Sequence, residues 1–404
     1  MTSQTRSYLA VALAAGAIFA LGLGVRQAQP LFIGSINSAT GMGYAAISLA
    51  FAIGQLMWGI AQPVTGAIAD RWGPQPVMLV GALMVAAGTA TIPLATSTAA
   101  LIILIGVVCA IGAGAIGPAL LISASARWIP EAKRYFAFGI VNAGGSFGQF
   151  TVIPLAQLFI GLAGWQPALV ILGAIGLATI PMLLWITQGH AAHAATVAKA
   201  APGSLKKQLG EALRDPSYLL LSAGFFTCGF HVAFIATHLP GVVASCELPP
   251  TVGAWSLAII GLFNIFGSLW IGKVITHRRM KLALAWIYLA RALIIAAFFF
   301  SPKTPLAFFL FAAGIGFTYL STVPPTVGLV IKFYGPRYVA TLFGVVMLSH
   351  QVGAFFGAYL GGKAFEATGS YDWMWWADVA LCLLAAAVHL PIRESIPMRS
   401  AATA

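Results

Sequence analysis

The sequence predicts an all-α membrane protein in which twelve transmembrane helices form two pseudo-symmetric six-helix bundles, and three observations lead to this prediction. Of the 404 residues, 60% are hydrophobic and 7% are charged, whereas about a quarter of a typical soluble domain is charged. Charge clusters and Pro/Gly turns divide the chain into twelve apolar runs, each long enough to cross roughly 30 Å of hydrocarbon. Glycines in the second half of the chain repeat the spacing of glycines in the first half.

The apolar runs define the predicted spans in chain order. The first run begins at Tyr8 and is too long for the core of a signal peptide, so it counts as a span. The predicted limits are 8–32, 44–70, 76–96, 99–127, 135–162, 167–187, 217–242, 252–276, 281–300, 305–331, 338–365 and 372–391.

Lysine and arginine are distributed unevenly between alternate connections, and this asymmetry predicts the orientation. With the N-terminus inside, 17 of the 21 basic residues lie in cytoplasmic segments, two lie on the other side and two lie inside spans. We therefore expect a multi-pass protein of the plasma (inner) membrane, embedded in the lipid bilayer as a functional monomer with both termini cytoplasmic. The net charge of +12 does not indicate a nucleic-acid partner, because the basic residues form short clusters without a stripe of interleaved aromatics.

A long polar stretch in the middle of the chain divides the spans into two groups of six. It predicts an N-terminal bundle over 1–187, a cytoplasmic linker over 188–216 with an amphipathic segment around Leu205–Leu213, and a C-terminal bundle over 217–404. Repeated halves around a central site are a common transporter design. The repeated glycines are Gly139, Gly148 and Gly164, matched 205 residues later by Gly344, Gly353 and Gly369, and Gly66, matched by Gly272.

The turn after the second span carries the motif Gly66-Ala-Ile-Ala-Asp70-Arg71-Trp-Gly73-Pro74. It resembles the signature of the major facilitator superfamily, which is a glycine, three residues, Asp-Arg, one residue and a glycine. The resemblance implies the major facilitator fold and a one-sided cytoplasmic latch, in which an acid pairs with basic side chains or with a helix N-terminus. A turn that only fixes the topology is the alternative. The residues assigned to the conformational latch are Gly66, Asp70, Arg71, Gly73 and Arg127, with Arg134 as an alternative partner.

A narrower likeness involves the first span, which reads Gly24-Val-Arg26-Gln-Ala-Gln-Pro30-Leu-Phe32. This stretch, together with Gln62-Pro63, resembles the monocarboxylate and oxalate/formate carrier branch of that superfamily. The resemblance implies that cationic residues in the cavity bind carboxylates, and Arg26 matches a first-span basic position of the branch. The eighth span departs from the pattern, because Asn264 stands in a span where the branch often has an arginine.

Two arginines lie at membrane depth, where an ionisable group is costly and marks a functional site by default. Arg26 lies past the midplane of the first span and Arg291 near the midplane of the ninth, whereas Asp378 is the one acid well inside a predicted span. Deep positive charge favours an anionic solute, since arginine pairs well with carboxylates. The alternatives are that Arg26 snorkels or binds backbone carbonyls, and that Arg291 pairs with Asp378.

Other polar side chains at similar depth complete the predicted substrate-binding set, although each of them is equally suited to bridging helices. Histidine is the side chain that most readily carries a proton near neutral pH, so the two histidines in the set are the predicted carriers if transport is coupled to protons. The set comprises Arg26, Gln149, His231, Asn264, Arg291, Tyr319, His350 and Gln351, with Gln55 at the same depth.

The predicted function is secondary active transport of a small organic anion, a mono- or dicarboxylate, by alternating access, with proton symport, exchange and uniport all open. The alternative is efflux of a neutral or amphipathic toxic compound by the same fold. No nucleophile–base constellation indicates an enzyme, and no phosphate-binding Gly-x-x-x-x-Gly-Lys-Ser/Thr loop indicates an ATP-driven pump. We expect no cofactor and no metal.

Overall fold

The computed structural model describes residues 7–125, 128–130, 133–188, 205–335 and 339–394, and nearly all of them are helical. The first half contains helices Tyr8–Ala28, Ile33–Thr40, Tyr44–Trp72, Pro74–Thr91, Thr98–Leu101, Ala110–Ala115, Pro118–Ser125, Arg134–Ala163, Trp165–Leu177 and Thr179–Thr187, with 3₁₀ turns at Gln29–Phe32 and Ile92–Leu94 and a π-helical segment at Ile102–Cys109. The second half contains helices Leu205–Ala212, Pro216–Ser245, Pro250–Val274, Met280–Phe300, Pro305–Thr318, Val323–Tyr334, Val339–Thr368 and Asp372–His389.

Eleven helices in the described ranges are long and apolar enough to cross a membrane. They correspond to the first eleven predicted spans, but the first continues to Thr40 through the 3₁₀ turn, eight residues beyond its predicted end. The twelfth predicted span is the last helix, Asp372–His389, which is short and carries two aspartates and a histidine. The all-α twelve-helix fold is thus confirmed, with the last helix the least apolar of the set.

The tenth span is broken at residues 319–322 between its two helices. Pro324 and Pro325 cause the break, because a proline donates no backbone hydrogen bond and its ring collides with the preceding turn. Val323 N therefore donates to Leu320 O at 3.0 Å in a tighter turn. Val323 N, the helical donor for Tyr319 O, is used in this turn, and the carbonyls of Thr318 and Tyr319 at the break accept hydrogen bonds from a side chain instead.

The two groups of six spans pack in the same way. The first span packs on the fifth as the seventh does on the eleventh, the second on the fourth as the eighth on the tenth, and the third on the sixth as the ninth on the last helix. Between the groups, the second span packs on the eleventh and the fifth packs on the eighth. The two contacts are equivalent, because the eighth span corresponds to the second and the eleventh corresponds to the fifth. The fold is therefore a pair of equivalent bundles, while the domain limits drawn from the sequence stay a prediction.

The halves touch at the end of the molecule away from the termini. There, Ala45 N at the start of the second span donates to Glu366 Oε2 near the end of the eleventh at 2.7 Å. The rings of Tyr44 and Phe365 pack beside this bond with centroids 4.9 Å apart.

The spans are loosely packed at the end that carries the termini. A Cβ atom added at Gly66, Gly139, Gly272 or Gly344 would meet no atom within 4 Å among the described residues. These glycines lie on the second, fifth, eighth and eleventh spans, which form the contacts between the halves farther along their length. The structure thus has a direct contact between the halves at one end and open space beside these four glycines at the other.

The predicted linker includes a helix, Leu205–Ala212, close to the predicted amphipathic segment. Gln208 Nε2 donates to Tyr334 O at 3.0 Å, and Tyr334 Oη donates to Asp215 Oδ2 at 2.9 Å. These bonds attach the linker helix to the end of the tenth span. Residues 189–204 of the predicted linker lie outside the described ranges.

Candidate functional site

Arg26 lies at a small cavity between the halves. The cavity is formed by residues of the first, second and fourth spans and by Ala236 and Thr237 of the seventh. Its volume is about 20 Å³, which is room for about one water molecule. Arg26 is half-buried there and is the one cation among the lining residues.

The guanidinium of Arg26 is held by neutral groups. Nη2 donates to Gln55 Oε1 at 3.0 Å and lies 3.5 Å from Gly54 O, and the guanidinium carbon lies 5.0 Å from the centre of the Trp58 ring. No carboxylate of the described residues lies within salt-bridge distance of it. Since a buried charge without a counter-ion is costly, the site has a positive charge that an anion would neutralise.

Two predicted binding residues connect the halves directly. Gln149 Nε2 of the fifth span donates to Leu257 O of the eighth at 3.0 Å. Asn264 Nδ2 of the eighth span donates to Ser146 Oγ of the fifth at 2.8 Å, and its Oδ1 accepts from Leu320 N, in the break of the tenth span, at 3.0 Å. The amides of both residues are therefore used in helix-to-helix bonds, which is the alternative that the sequence left open.

Arg291 is completely buried inside the second half. Its Nη2 donates to Thr318 O and Tyr319 O, the carbonyls that the broken tenth span leaves free, and its Nη1 lies 3.5 Å from Cys228 Sγ. The guanidinium also lies 5.2 Å from the centre of the Tyr288 ring. Arg291 thus caps the break rather than lining the cavity around Arg26.

Asp378 pairs with a histidine and not with Arg291. His231 Nδ1 and Asp378 Oδ2 lie 2.7 Å apart, and both side chains have no solvent exposure. The pairing of Arg291 with Asp378 that the sequence suggested is therefore wrong. The position of a residue along its span does not indicate which face of the last helix meets the seventh span.

The remaining predicted residues lie around the seventh and eleventh spans. Tyr319 Oη donates to Val232 O at 3.0 Å. His350 Nδ1 lies 3.2 Å from Gln351 Oε1. Gln351 lies against Gly59 of the second span, with its Cγ 2.6 Å from the position that a Cβ would occupy there. A substrate contact of these residues stays a prediction.

The predicted latch is described only in part. The second span ends at Trp72, and Gly73 has a φ of +87°, a left-handed value that favours glycine. Arg71 is exposed, with its guanidinium carbon 6.0 Å from the centre of the Trp72 ring. The side chains of Asp70 and Arg134 and the whole of Arg127 lie outside the described part of the chain, so the latch stays a prediction.

Sequence reasoning missed Thr237, which is 2% exposed and lines the Arg26 cavity from the second half. Its hydroxyl has no hydrogen-bond partner among the described residues, although helical threonines often bond to the carbonyl four residues earlier. Thr237 is surrounded by apolar residues in the sequence, and no local pattern distinguishes it from a packing residue.

Comparison with protein families gives a match over most of the chain. The family model described as the Major Facilitator Superfamily matches residues 9–358. In the structure this region covers the first ten spans and most of the eleventh.

Curated relatives and solved structures agree with this match. The chain is 25% identical to the uncharacterized MFS-type transporter YcxA of Bacillus subtilis, covering 91% of this chain and 90% of that protein. It is 23% identical to monocarboxylate transporter 13 of Bos taurus over 87% and 81% of the two chains. It is 26% identical to the oxalate:formate antiporter of Oxalobacter formigenes over 60% and 57%. The structure of the nucleoside transporter NupG has a TM-score of 0.80 to this one, with 14% identity and coverage of 95% and 99%.

Proposed function

Since the chain belongs to the major facilitator superfamily, whose members are transporters rather than enzymes, we propose that it carries a small organic anion, a mono- or dicarboxylate, by alternating access. The observation that carries this proposal is the environment of Arg26. Its guanidinium lies in a cavity bounded by both halves, held by neutral acceptors and without an acid partner among the described residues. A carboxylate bound there would contact the two moving parts of the carrier at once.

The relatives support the chemical class of the solute. Two of them are described as a monocarboxylate transporter and an oxalate:formate antiporter, and the solutes in both descriptions are carboxylates. Arginine suits such a ligand because its planar fork donates two parallel hydrogen bonds to a carboxylate. Of the two deep arginines, Arg26 is the available one, because Arg291 already binds the carbonyls of the tenth span.

The two ends of the structure support alternating access. The halves touch at the end away from the termini, and at the other end four glycines on the spans that join the halves have open space beside them. With the cytoplasmic termini that the lysine and arginine distribution predicts, we infer that this end opens to the cytoplasm during transport. Separation of the second span from the eleventh and of the fifth from the eighth would open the other end.

The test is a ligand screen followed by one substitution. Purified protein is heated with a panel of mono- and dicarboxylates, and a ligand that binds the folded state raises the melting temperature. Arg26→Gln removes the charge, and the loss of one charge-assisted contact of about 1.5–3 kcal/mol weakens binding roughly tenfold to a hundredfold. We expect the carboxylate-dependent shift and uptake into proteoliposomes to be lost together.

Arg214→Gln is the matched control, because Arg214 is an exposed arginine outside the spans. It should keep both the shift and the uptake. Full carboxylate uptake by Arg26→Gln would contradict the role of Arg26. Stabilisation of the wild type by neutral amphipathic compounds and by no carboxylate would replace the proposal with efflux of such compounds.

A further inference from the structure

A buried histidine–aspartate pair lies inside the second half, apart from the residues that line the Arg26 cavity. His231 of the seventh span and Asp378 of the last helix are joined by the bond of 2.7 Å between Nδ1 and Oδ2. Cys382, one turn further along the last helix, donates to Asp378 Oδ1 at 3.9 Å. A fully buried carboxylate is costly unless it is paired and hydrogen-bonded, and these two contacts stabilise it.

The pair leaves one basic nitrogen free. A carboxylate accepts hydrogen bonds, so Nδ1 of His231 carries the hydrogen that it donates to Asp378, and Nε2 of the neutral ring then has a lone pair. His231 Nε2 is buried and has no hydrogen-bond partner among the described residues. The arrangement is that of a histidine whose tautomer is set by a carboxylate and whose outer nitrogen is available to a proton.

The surroundings determine the charge that a proton would add. With neutral His231, the charges of Arg291 and Asp378 cancel inside the second half, and a proton on Nε2 makes this cluster net positive. Of the other titratable groups around this cluster, Cys382 of the last helix contacts Asp378, whereas Cys228 of the seventh span and Tyr288 of the ninth contact Arg291. Tyr319 of the tenth span contacts Val232 O, and His350 of the eleventh lies beside Cys228.

A continuous series of contacts links the pair to the interface between the halves. Tyr319 Oη donates to the carbonyl of Val232, the residue after His231, and Leu320 N donates to Asn264 Oδ1. Asn264 in turn donates to Ser146 of the other half. These hydrogen bonds connect the backbone beside His231 to the contact between the fifth and eighth spans.

From this geometry we propose that Nε2 of His231, oriented by Asp378, is a proton-binding site, and that one proton bound there crosses the membrane with each anion bound at Arg26. The coupling part rests on the proposed carboxylate transport, whereas the proton site does not. A monocarboxylate and one proton cross without net charge, so their uptake is independent of the membrane potential. Asp378 is a positioning residue, because it acts on the proton through the imidazole.

The proton site is tested without any solute. Protein labelled with ¹⁵N in its histidines is titrated by NMR, and the resonances of His231 are identified by their loss in His231→Gln. We expect Nε2 of His231 to change reversibly from the unprotonated to the protonated resonance within the pH range in which the protein stays folded. Asp378→Asn should alter the Nε2 resonance of His231, because the carboxylate that orients the imidazole is lost. A His231 resonance that never titrates would overturn the proposal.

Coupling is tested in proteoliposomes with a carboxylate found in the screen. We expect an inward proton gradient to drive accumulation by the wild type, and His231→Gln to abolish it while exchange of labelled for unlabelled solute continues. The control is His238→Gln, since His238 is buried on the same span but bonds to Ala358 O at 2.7 Å and to no carboxylate among the described residues. Accumulation by His231→Gln equal to that of the wild type would overturn the coupling.

The outcomes also separate the two proposals. If no carboxylate stabilises or enters the wild type but His231 titrates, the proposed solute is wrong and the proton site stands. If carboxylates are transported and His231 does not titrate, the proposed solute stands and the proton site is wrong. Should His231→Gln fail to fold, the histidine resonance that changes in Asp378→Asn, which keeps the side-chain shape, identifies His231 instead, and its titration in the wild type still decides the question.

Discussion

Arg291 illustrates how one buried charge is compatible with a membrane interior. Its guanidinium is surrounded by carbonyls of the tenth span, a thiol and an aromatic ring instead of a carboxylate. The carbonyls lie at the break of the tenth span before Pro324 and Pro325, where Val323 N bonds Leu320 O instead of Tyr319 O. Both terminal nitrogens of Arg291 are thus engaged inside the second half, while its Nε has no partner among the described residues, and the bonds to broken backbone distinguish it from Arg26.

We therefore predict that Arg291→Met destabilises the protein. The substitution leaves the buried carbonyls of Thr318 and Tyr319 without their donor, at about 1–3 kcal/mol for each group. The melting temperature of the purified protein should fall by several degrees.

Lys303→Met is the control for this prediction. Lys303 Nζ also donates to three carbonyls, but it is half-buried in the loop after the ninth span, where water can replace it. Its effect should be the smaller one. Equal stability of Arg291→Met and the wild type would show that the arginine does not support the break.

Sequence reasoning at the scale of residues found the deep charges but not their partners. The position of a charged residue within an apolar span indicates that its charge is costly to bury, and its residue type gives the sign. These two criteria identified Arg26, Arg291 and Asp378 as unusual. The pairing of Asp378 with His231 depends on how the last helix is rotated against the seventh span, and a single sequence contains no signal for it. Thr237 was missed because its importance comes only from the cavity that it lines.

At the scale of elements, the glycine repeat is matched by equivalent environments. A Cβ at Gly148 would collide with the carbonyl oxygen of Ala20 in the first span, and one at Gly353 with that of Phe226 in the seventh. Both members of the pair thus allow a close approach of two helix backbones. Gly164 and Gly369 both follow the end of their helix with positive φ, at +86° and +68°. The offset found in the sequence is therefore a repeat of structure.

We predict opposite effects for alanine at two kinds of repeated glycine. Gly148→Ala and Gly353→Ala should destabilise by about 1–3 kcal/mol or more, because the added methyl group has to displace backbone. Gly139→Ala and Gly344→Ala lie on the same two helices in open space, and they should be neutral or stabilising by up to about 1 kcal/mol, since alanine favours the helix.

Thermal unfolding of the four purified variants measures these effects. A destabilised Gly139→Ala together with an unchanged Gly148→Ala would contradict the packing described for the fifth span. The eleventh span provides an independent repetition of the experiment, because Gly344 and Gly353 have the same two environments.

The limits of the elements were predictable where apolar length and turn residues coincide, and less so where they do not. Most span limits lie within a few residues of the observed helices. The extension of the first span to Thr40 was missed because its polar end, Ser38-Ala-Thr40, does not indicate a membrane helix. The last helix was predicted correctly despite its two aspartates, one of which pairs with His231 inside the protein and not with lipid.

At the scale of the whole molecule, the arrangement of the halves predicts which surfaces are accessible in this state. Gly139 and Gly344 are exposed at the end that carries the termini, whereas Gly161 is exposed near the opposite end of the fifth span. The native cysteines Cys109, Cys228 and Cys382 are buried, and Cys246 is half-buried. A Cys246→Ser background therefore permits site-specific labelling.

In this background, Gly139→Cys and Gly344→Cys should react with a membrane-impermeant maleimide added from the cytoplasmic side, and Gly161→Cys with the same reagent added from the other side. A transported carboxylate should slow the first two reactions, because it binds both halves and favours states in which the cytoplasmic end closes, and it should leave the third unchanged. A ligand shifts such an equilibrium only by its difference in affinity for the two states. Labelling rates in right-side-out and inverted vesicles measure both effects. Reaction of Gly139→Cys from the outer side would reverse the predicted orientation, and ligand-independent rates at all three positions would contradict closure around the bound anion.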